Sequence, residues 1–437
     1  HQFKDSGAKA VVILSSFCDK LESIISETDI SSVIVAELGD LQSPLRRFSI
    51  NFATKFLKSA VPNYRLSNAV AFRDCYTYLS HPLPAQLETG SGDDLAAILY
   101  TGGTTGYSKG AMLSHNNLIA NMMQLWSRCG LIIGEGVEEI AAPLPLYHSY
   151  AFLLHCLAMP YAGNLSVLIP NPRDLDSVLS AFVKHKISGF VGINTLYLAL
   201  LEHPPFCALD FSDLRFCGAG GMALSPSIAK RWEHLTGCEI FEGYGLTECS
   251  PVVSVNLPGK VRLGTVGELV PETEIMAVDD AGQAVGIGER GEACIRGPQV
   301  MLGYWQQVEA TRDAITEDGW FKTGDYVEIS EDGYITVVDR KKDMILVSGF
   351  NVFPTEIEDW VNQHTDVLES AAIGVPDERR GERVKLYVVR KSENLSAEQI
   401  TEHCALGLTA YKMPKEIVFA YELPKSLIGK ILRKELK

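Results

Sequence analysis

The chain has 437 residues, of which 46% are hydrophobic and 21% charged; at roughly 150 residues per unit this allows two or three compact units with a large buried core. Such a composition excludes disordered, collagen-like and disulfide-scaffold classes. The 39 Lys and Arg against 54 Asp and Glu give a formal charge of −15, so no overall positive field exists for nucleic acid, and any anion site has to be built locally.

In chain order, short apolar runs at 10–14 (AVVIL), 33–38 (VIVAEL), 95–100 (LAAILY), 165–170 (LSVLIP) and 190–193 (FVGI) predict strands. Amphipathic segments at 116–126, 175–184 and 227–235 predict helices, and this alternation predicts α/β layers over residues 1–260. Residues 140–172 contain no Asp, Glu, Lys or Arg, but Pro143, Pro145, Pro160 and Pro170 interrupt them. That stretch therefore reads as buried core or an apolar tunnel wall rather than a membrane span. From 261 to 341, frequent glycines punctuate short β-rich runs, predicting hairpins in a small sheet or barrel. The charged run Asp339-Arg340-Lys341-Lys342-Asp343 marks a linker. Beyond it, helical patterns at 355–363 and 397–408 and strand patterns at 369–375 and 384–389 predict a small α+β domain. The ten cysteines show no C-x-x-C spacing and the ten histidines no H-E-x-x-H, which points to reduced thiols in a cytoplasmic compartment rather than bridges or zinc. The chain opens on His1 and reads from its start like the interior of a domain.

The strongest local signal follows the strand at 95–100. The loop YTGGTTGYSKG brings together Thr101, Gly102, Gly103, Thr104, Thr105, Gly106, Ser108 and Lys109 ahead of a helix that Ser114 or Asn116 can cap. Glycines let backbone N–H groups approach oxyanions, hydroxyls add donors and the lysine adds charge, as gripping a polyphosphate requires. It is not a P-loop, because Ser108-Lys109-Gly110 stands where Gly-Lys-Ser/Thr would be. Gly106 to Gly110 also matches the G-x-S-x-G nucleophile elbow, although the strand ends too early for a sharp strand-to-helix turn. Gly218, Gly220 and Gly221 in GAGGMA fit a dinucleotide pattern that is weak on its own.

In EGYGLTECSP, Glu242, Gly243, Tyr244, Gly245, Thr247 and Glu248 share a tight turn. There Tyr244 can stack on a purine, Thr247 can bond a phosphate and Glu248 can hold Mg2+, while the same residues also suit a purely structural turn. Asp325 in GWFKTGD is placed to accept both hydroxyls of a ribose, and Lys430 follows a glycine in LPKSLIGK.

With these segments in this order, the whole chain resembles the adenylate-forming superfamily of acyl- and aryl-CoA synthetases, luciferases and peptide-synthetase adenylation domains. YTGGTTGYSKGAMLSH, EGYGLTECSP, GPQVMLGYW, DGWFKTGD, VDRKKDMILVSGFNVFPTEIED and LPKSLIGKILRKEL bring it closest to the bacterial long-chain fatty acid:CoA ligase branch. Ser108 stands where many members carry Pro and Gly102 where many carry Ser. The resemblance implies an α/β fold: a large multi-subdomain N-terminal domain at 1–341 (1–260 α/β layers, 261–341 a small β-rich subdomain) and a small mobile α+β C-terminal domain at 342–437 hinged at Lys342. It also implies roughly a hundred further residues ahead of His1. The implied reaction converts a fatty acid and ATP to acyl-AMP and pyrophosphate, then transfers the acyl group to coenzyme A, with Mg2+ assisting.

By the same resemblance, Thr101, Gly102, Gly103, Thr104, Thr105, Gly106 and Lys109 hold the β- and γ-phosphates, Thr247 the α-phosphate and Glu248 the metal. Tyr244, with Glu242, Gly243 and Gly245 around it, serves the adenine, and Asp325 and Arg340 the ribose. Gly218, Gly220 and Gly221 line the adenine and acyl pocket, and His148 stands beside the acyl carboxylate. Lys430 donates to the carboxylate and α-phosphate in the first half only, and Gly349 admits the pantetheine arm of CoA in the second. A medium-chain or aryl ligase is the alternative within the superfamily, and a fatty acyl hydrolase using Ser108 the competing class. No nucleic acid partner is expected; a homodimer is a further expectation.

Residues 46–61 carry Arg46, Arg47, Lys55 and Lys58 and no acid, with Phe48, Phe52 and Phe56 at i, i+4 and i+8. This predicts a helix with an aromatic stripe, either packed on the core or serving as a peripheral contact with the inner face of the cytoplasmic membrane.

Overall fold

The computed structural model describes residues 1–75, 90–101, 108–130, 132–426 and 429–437. It falls into two compact units, one of His1–Asp94 with Tyr100–Gly110, the other of Leu95–Leu99 with Ala111–Lys437.

In the first unit, strands Ala10–Leu14, Ser32–Ala36 and Ala69–Ala71 form a parallel sheet over a small core of Val11, Leu21, Ile30 and Val33. The predicted helix at 46–61 is Pro44–Phe52, continued by a π-helical turn Ala53–Leu57. Its aromatic stripe faces outward: Phe48, Phe52 and Phe56 are 69%, 45% and 62% exposed, with neighbouring ring centroids 5.9 and 5.0 Å apart.

The second unit is built on a seven-stranded sheet. Strands Leu165–Leu168, Glu139–Ala142, Gly189–Gly192, Phe216–Ala219 and Ile240–Gly245 run parallel side by side. Val252–Val255 and Glu268–Leu269 then extend it antiparallel. These strands are almost wholly apolar because both faces are covered. Successive side chains point to opposite faces, and the two cores divide accordingly. Ala141, Phe190, Cys217 and Ile240 join a cluster around Trp232, whereas Ile140, Val191, Phe216 and Phe241 join one around Leu153 and Met159. Helices Leu175–Lys184 and Pro226–Thr236 pack on the first cluster through residues such as Val178, Ala181, Ile228 and Trp232, as their amphipathic patterns predict.

One local expectation needs correction. The loop at 101–109 does not lead straight into a helix: strand Lys109–Ser114 intervenes, and only then does helix His115–Cys129 begin, with Ser114 and Asn117 forming a reciprocal capping box. Ser108 therefore precedes a strand, which removes the strand-to-helix elbow that a serine nucleophile requires. The uncharged stretch at 140–172 folds as strand Glu139–Ala142, the helical turns Ser149–Ala151, Phe152–Ala158 and Met159–Tyr161, and strand Leu165–Leu168. Among the described residues no helix is long and apolar enough to cross a membrane.

The β-rich stretch forms a four-stranded antiparallel sheet of Glu274–Val278, Arg290–Arg296, Phe321–Ile329 and Ile335–Arg340. After a single turn at Lys341–Asp343, a separate sheet carries Phe350–Val352, Ile345–Val347, Gly381–Arg390 and Val367–Asp377, with Glu416–Ala420 alongside. Helices Pro354–Val361 and Ala397–Ala405 close its core of Val347, Ile357, Val361, Leu386 and Ile400. The molecule is thus mixed α/β with a large N-terminal part and a small C-terminal α+β part. All ten cysteines carry free thiols.

Candidate active site

The strand Ile240–Gly245 and the turn after it deliver the central residues. Tyr244 turns its hydroxyl to Asp325 Oδ2 at 2.7 Å, and Arg340 Nε meets Asp325 Oδ1 at 3.1 Å. Asp325 and Arg340 sit opposite one another because strands Phe321–Ile329 and Ile335–Arg340 pair in that register. Asp325 is 3% exposed, so its carboxylate is held in place and offers a ribose only its remaining lone pairs. Burial and the Asp325 charge push the Tyr244 phenol well above its usual range, so it donates at any physiological pH.

One turn later, Thr247 and Glu248 begin a short 3₁₀ helix. Thr247 Oγ1 lies 3.1 Å from Ser149 Oγ, and Ser149 is the neighbour of His148. Glu248 Oε1 accepts the hydroxyl of Tyr304 at 2.9 Å, while no described residue donates to Oε2. Tyr304 lies in the segment GPQVMLGYW, where no local pattern marks it as a site residue; the pairing of Gly303–Tyr304 with Ala111 and Met112 brings it there.

His148 caps the turn Ser149–Ala151, its Nδ1 accepting the Tyr150 N–H at 3.3 Å. Its pKa is lowered by burial and by the nearby Lys430 charge. Lys430 arrives from the small C-terminal part. Its pKa falls to about 8, first through burial, then through Arg340 and Lys342, with Asp325 opposing. His148, Asp325, Arg340, Lys342 and Lys430 thus share one electrostatic neighbourhood, although they come from positions as far apart as 148 and 430. Gly429, at φ +77°, lies so close to the wall that a Cβ would meet Thr195 Oγ1 at 2.9 Å and Ile193 Cδ1 at 3.0 Å.

A cavity of about 770 Å³ adjoins this neighbourhood at the carboxyl ends of three parallel strands, the usual ligand crevice of such sheets. Leu144, Leu146, Ile169, Leu175 and Leu196 line it, with Lys425, Ser426 and Gly429 of the Lys430 loop on one side.

The remaining candidates are placed as follows. Gly218 and Gly220 lie under Tyr150, where a Cβ would come within 3.2 and 3.3 Å of its ring and hydroxyl atoms; Gly221 has positive φ and open space above it. Gly243 and Gly245 face the adjoining backbone, Gly245 so closely that a Cβ would stand 2.3 Å from Pro251 O. Gly349 has positive φ and no heavy atom near its absent Cβ. Thr101 and Lys109 belong to the first unit, where Thr101 Oγ1 donates to Lys109 O at 3.4 Å. Gly102, Gly103, Thr104, Thr105 and Gly106 lie outside the described residues.

Glu242 is buried and accepts the Leu224 N–H at 2.9 Å. Burial raises its carboxyl to about 7 from 4.5. The folded state therefore holds more protons than the unfolded one between those values, and stability falls as pH rises through them. Glu242→Gln keeps an acceptor for Leu224 and removes the charge. It should raise stability at pH 8 by an amount on the order of 1 kcal/mol and leave it nearly unchanged at pH 4.5. Denaturant unfolding at both pH values measures this; an equal shift at both would refute it.

Comparison with known proteins gives the family. The model of AMP-binding enzymes matches residues 1–305, and that of the AMP-binding enzyme C-terminal domain matches residues 356–430. Long-chain-fatty-acid–CoA ligases of Salmonella typhimurium and Escherichia coli O157:H7 are each 46% identical over 100% of this chain and 78% of their own length. The solved structure of the anthranilate CoA ligase AuaEII in complex with anthranoyl-AMP superposes with a TM-score of 0.84 at 28% identity, covering 100% of this chain and 79% of that one. Matched by both family models and by such relatives along its entire length, this chain belongs to the AMP-binding, adenylate-forming acyl-CoA synthetases, in the branch of the long-chain-fatty-acid–CoA ligases.

Proposed function

We propose that this chain is an ATP-dependent, AMP-forming ligase that activates a long-chain fatty acid and transfers it to coenzyme A. The observation that carries the reading is the convergence of Lys430, Arg340 and His148 beside an apolar cavity. A hydrocarbon chain suits that lining, and the cations suit the anions that must meet there.

In the first half, a carboxylate oxygen attacks the α-phosphorus of ATP. The Pα–O bond to the β-phosphate breaks and pyrophosphate leaves with its electron pair. Phosphoryl transfer of this kind needs positioning and charge neutralisation more than acid–base catalysis. Lys430 supplies charge at the forming bond, Thr247 a hydroxyl to the α-phosphate, and Tyr244 an aromatic face to the adenine. Arg340 and Asp325 orient the ribose, and Thr101 to Lys109 hold the terminal phosphates. In the second half, the CoA sulfur attacks the acyl carbon, its thiol proton passes to solvent, and the acyl C–O bond breaks with AMP leaving on its phosphate oxygen with the electron pair.

Mg2+ fits the residues present. Glu248 offers one carboxylate oxygen fixed by Tyr304 and a second that no described residue occupies. Among the described residues no cluster of three or more His, Cys, Asp or Glu could cage a metal. A single carboxylate completed by phosphate oxygens is how Mg2+ commonly binds beside nucleotides. When bound, the ion would neutralise charge developing on the phosphates.

The test is pyrophosphate release and acyl-CoA formation from ATP and CoA, with palmitate compared against octanoate and benzoate. Preference for octanoate or benzoate would overturn the long-chain assignment; hydrolysis of an added palmitoyl ester to palmitate and alcohol, without ATP consumption, would favour a hydrolase.

The same proposal includes a peripheral contact with anionic lipid through residues 46–61, supported by the outward aromatic stripe. Basic residues near such a surface contribute about 1 kcal/mol each, and an insoluble substrate is collected there. Replacing Arg46, Arg47, Lys55 and Lys58 by Gln should weaken sedimentation with phosphatidylserine vesicles, while turnover of detergent-dispersed palmitate persists. Unchanged sedimentation would remove the membrane contact.

A further inference from the structure

Lys430 carries its charge into a neighbourhood that already holds Arg340 and Lys342, and both oppose it. Like charges push a flexible ammonium outward, so its backbone has to be held from elsewhere. The Lys430 carbonyl accepts the Ser426 N–H at 2.8 Å, and its own N–H donates to Ser426 Oγ at 3.1 Å. Lys425 and Ile431 pair as an antiparallel bridge, and the Leu432 N–H donates to the Pro424 carbonyl at 2.8 Å. Lys425 Nζ, 2.6 Å from Glu369 Oε2, anchors the incoming limb, but that pair is partly open to water and such pairs hold little.

The outgoing limb is anchored differently. Arg433 Nη2 donates to both Glu358 oxygens, at 2.8 and 2.7 Å, and Nη1 lies 3.8 Å from Asp343 Oδ2. The Arg433 and Glu358 side chains are only 16% and 10% exposed. Glu358 belongs to helix Pro354–Val361, and its Oε1 also accepts the Ala372 N–H at 2.8 Å from the strand Val367–Asp377. Asp343 ends the linker turn Lys341–Asp343. One guanidinium, three residues past Lys430, thus ties this limb to a helix, a strand and the linker. Charge-assisted bonds withdrawn from water fix geometry strongly. A lysine, with a single nitrogen, could not meet both carboxylates through separate donor nitrogens.

We propose that Arg433 is a positioning residue for acyl-AMP formation: through Glu358 and Asp343 it holds Lys430 in the site against the repulsion of Arg340 and Lys342. This rests on the ligase reading and adds to it a residue that acts through Lys430 rather than on the substrate. Arg433, Glu358 and Asp343 all lie beyond Lys342, so their contacts stay within the small C-terminal part. Since Lys430 serves the first half-reaction only, losing the grip should be felt in that half alone.

The test uses the full chain with Arg433→Gln, Arg433→Lys, Lys430→Ala and the double variant Arg433→Gln/Lys430→Ala. Arg433→Gln should slow pyrophosphate release about tenfold or more, as displacement of a catalytic group does, and leave transfer from supplied palmitoyl-AMP to CoA nearly native. Arg433→Lys, which keeps a charge beside Glu358, should recover part of the loss. The double variant should release pyrophosphate as fast as Lys430→Ala within about twofold, whereas independent contributions would multiply. A readout free of turnover follows the Lys430 amine itself, by its acetic anhydride labelling against pH, resolved by mass spectrometry. The native profile should centre at about pH 8, and that of Arg433→Gln should move up toward the ordinary lysine range as the amine swings out to water. If the native chain forms acyl-CoA but both halves fall alike in Arg433→Gln, or the two losses multiply, Arg433 supports the fold alone and the ligase reading stands. If the native chain forms no acyl-AMP yet the labelling profile moves as expected, the ligase reading fails and the hold of Arg433 on Lys430 stands. A labelling profile that Arg433→Gln leaves unchanged overturns the positioning role in every case.

Discussion

Lys430→Ala is expected to cut acyl-AMP formation by about 10²-fold or more, while transfer from supplied acyl-AMP to CoA stays nearly intact. The structure gives a physical reason for so large an effect from one side chain. Lys430 is largely withdrawn from water and stands near Arg340 and Lys342, so without a ligand its charge is disfavoured and its pKa falls to about 8. A polyphosphate entering this site reverses the balance, because every charge then gains an anion. Below pH 8 the lysine is already charged; above it, ATP binding must take up a proton. Therefore kcat/KM for ATP should fall as pH rises through about 8, a limb belonging to the free enzyme, and Lys430→Ala should lack that limb. Pyrophosphate release measures the first half, and thioester formation from synthetic palmitoyl-AMP the second. Equal losses in the two halves would show that Lys430 holds the fold or the nucleotide generally and has no special part in adenylation.

How much of this was legible in the sequence depends on whether the information was local. Strand 10–14 and helix 175–184 coincide with the structure because an apolar run or a 3.6-residue period is set by neighbours in sequence. The strand Lys109–Ser114 was missed since KGAMLS is short and follows a glycine-rich loop, and only its pairing with Gly303–Tyr304 reveals it. The same nonlocal pairing hid Tyr304 as the partner of Glu248. Asp325 and Arg340 could be singled out from motifs, but their contact depends on strand register. Glu242 can be singled out by its position in EGYG, but its contact with the Leu224 N–H joins residues 18 positions apart and is announced by no local pattern. The Phe350–Tyr411 stack joins residues 61 positions apart, and no pattern in either segment announces it.

Lys342→Pro is expected to separate the two half-reactions, and the structure indicates which one survives. Lys342 is the middle residue of the 3₁₀ turn Lys341–Asp343 that links the two parts. Its turn is closed by the Met344 N–H donating to the Arg340 carbonyl at 3.2 Å, a bond that does not use the Lys342 N–H. A proline there loses no donor from that bond, and its fixed φ near −65° matches the 3₁₀ range. The strain of a residue preceding proline falls on Lys341, which is held from outside the turn by Glu292 at 2.8 Å and Asp280 at 3.3 Å. The substitution thus favours the orientation seen here, in which Lys430 stands beside Arg340 and Asp325. On the proposed two-step reading, Lys430 withdraws for transfer to CoA and the Gly349 strand takes its place, a change that needs different dihedral angles at the link. A bias of about 1.4 kcal/mol against that second orientation costs tenfold in its population. Acyl-AMP formation should stay close to native while transfer from supplied acyl-AMP falls about tenfold or more. Lys342→Ala, which leaves φ free, should perform both halves. A proline variant that carries out transfer at the native rate would show that the rotation, if it occurs, pivots elsewhere.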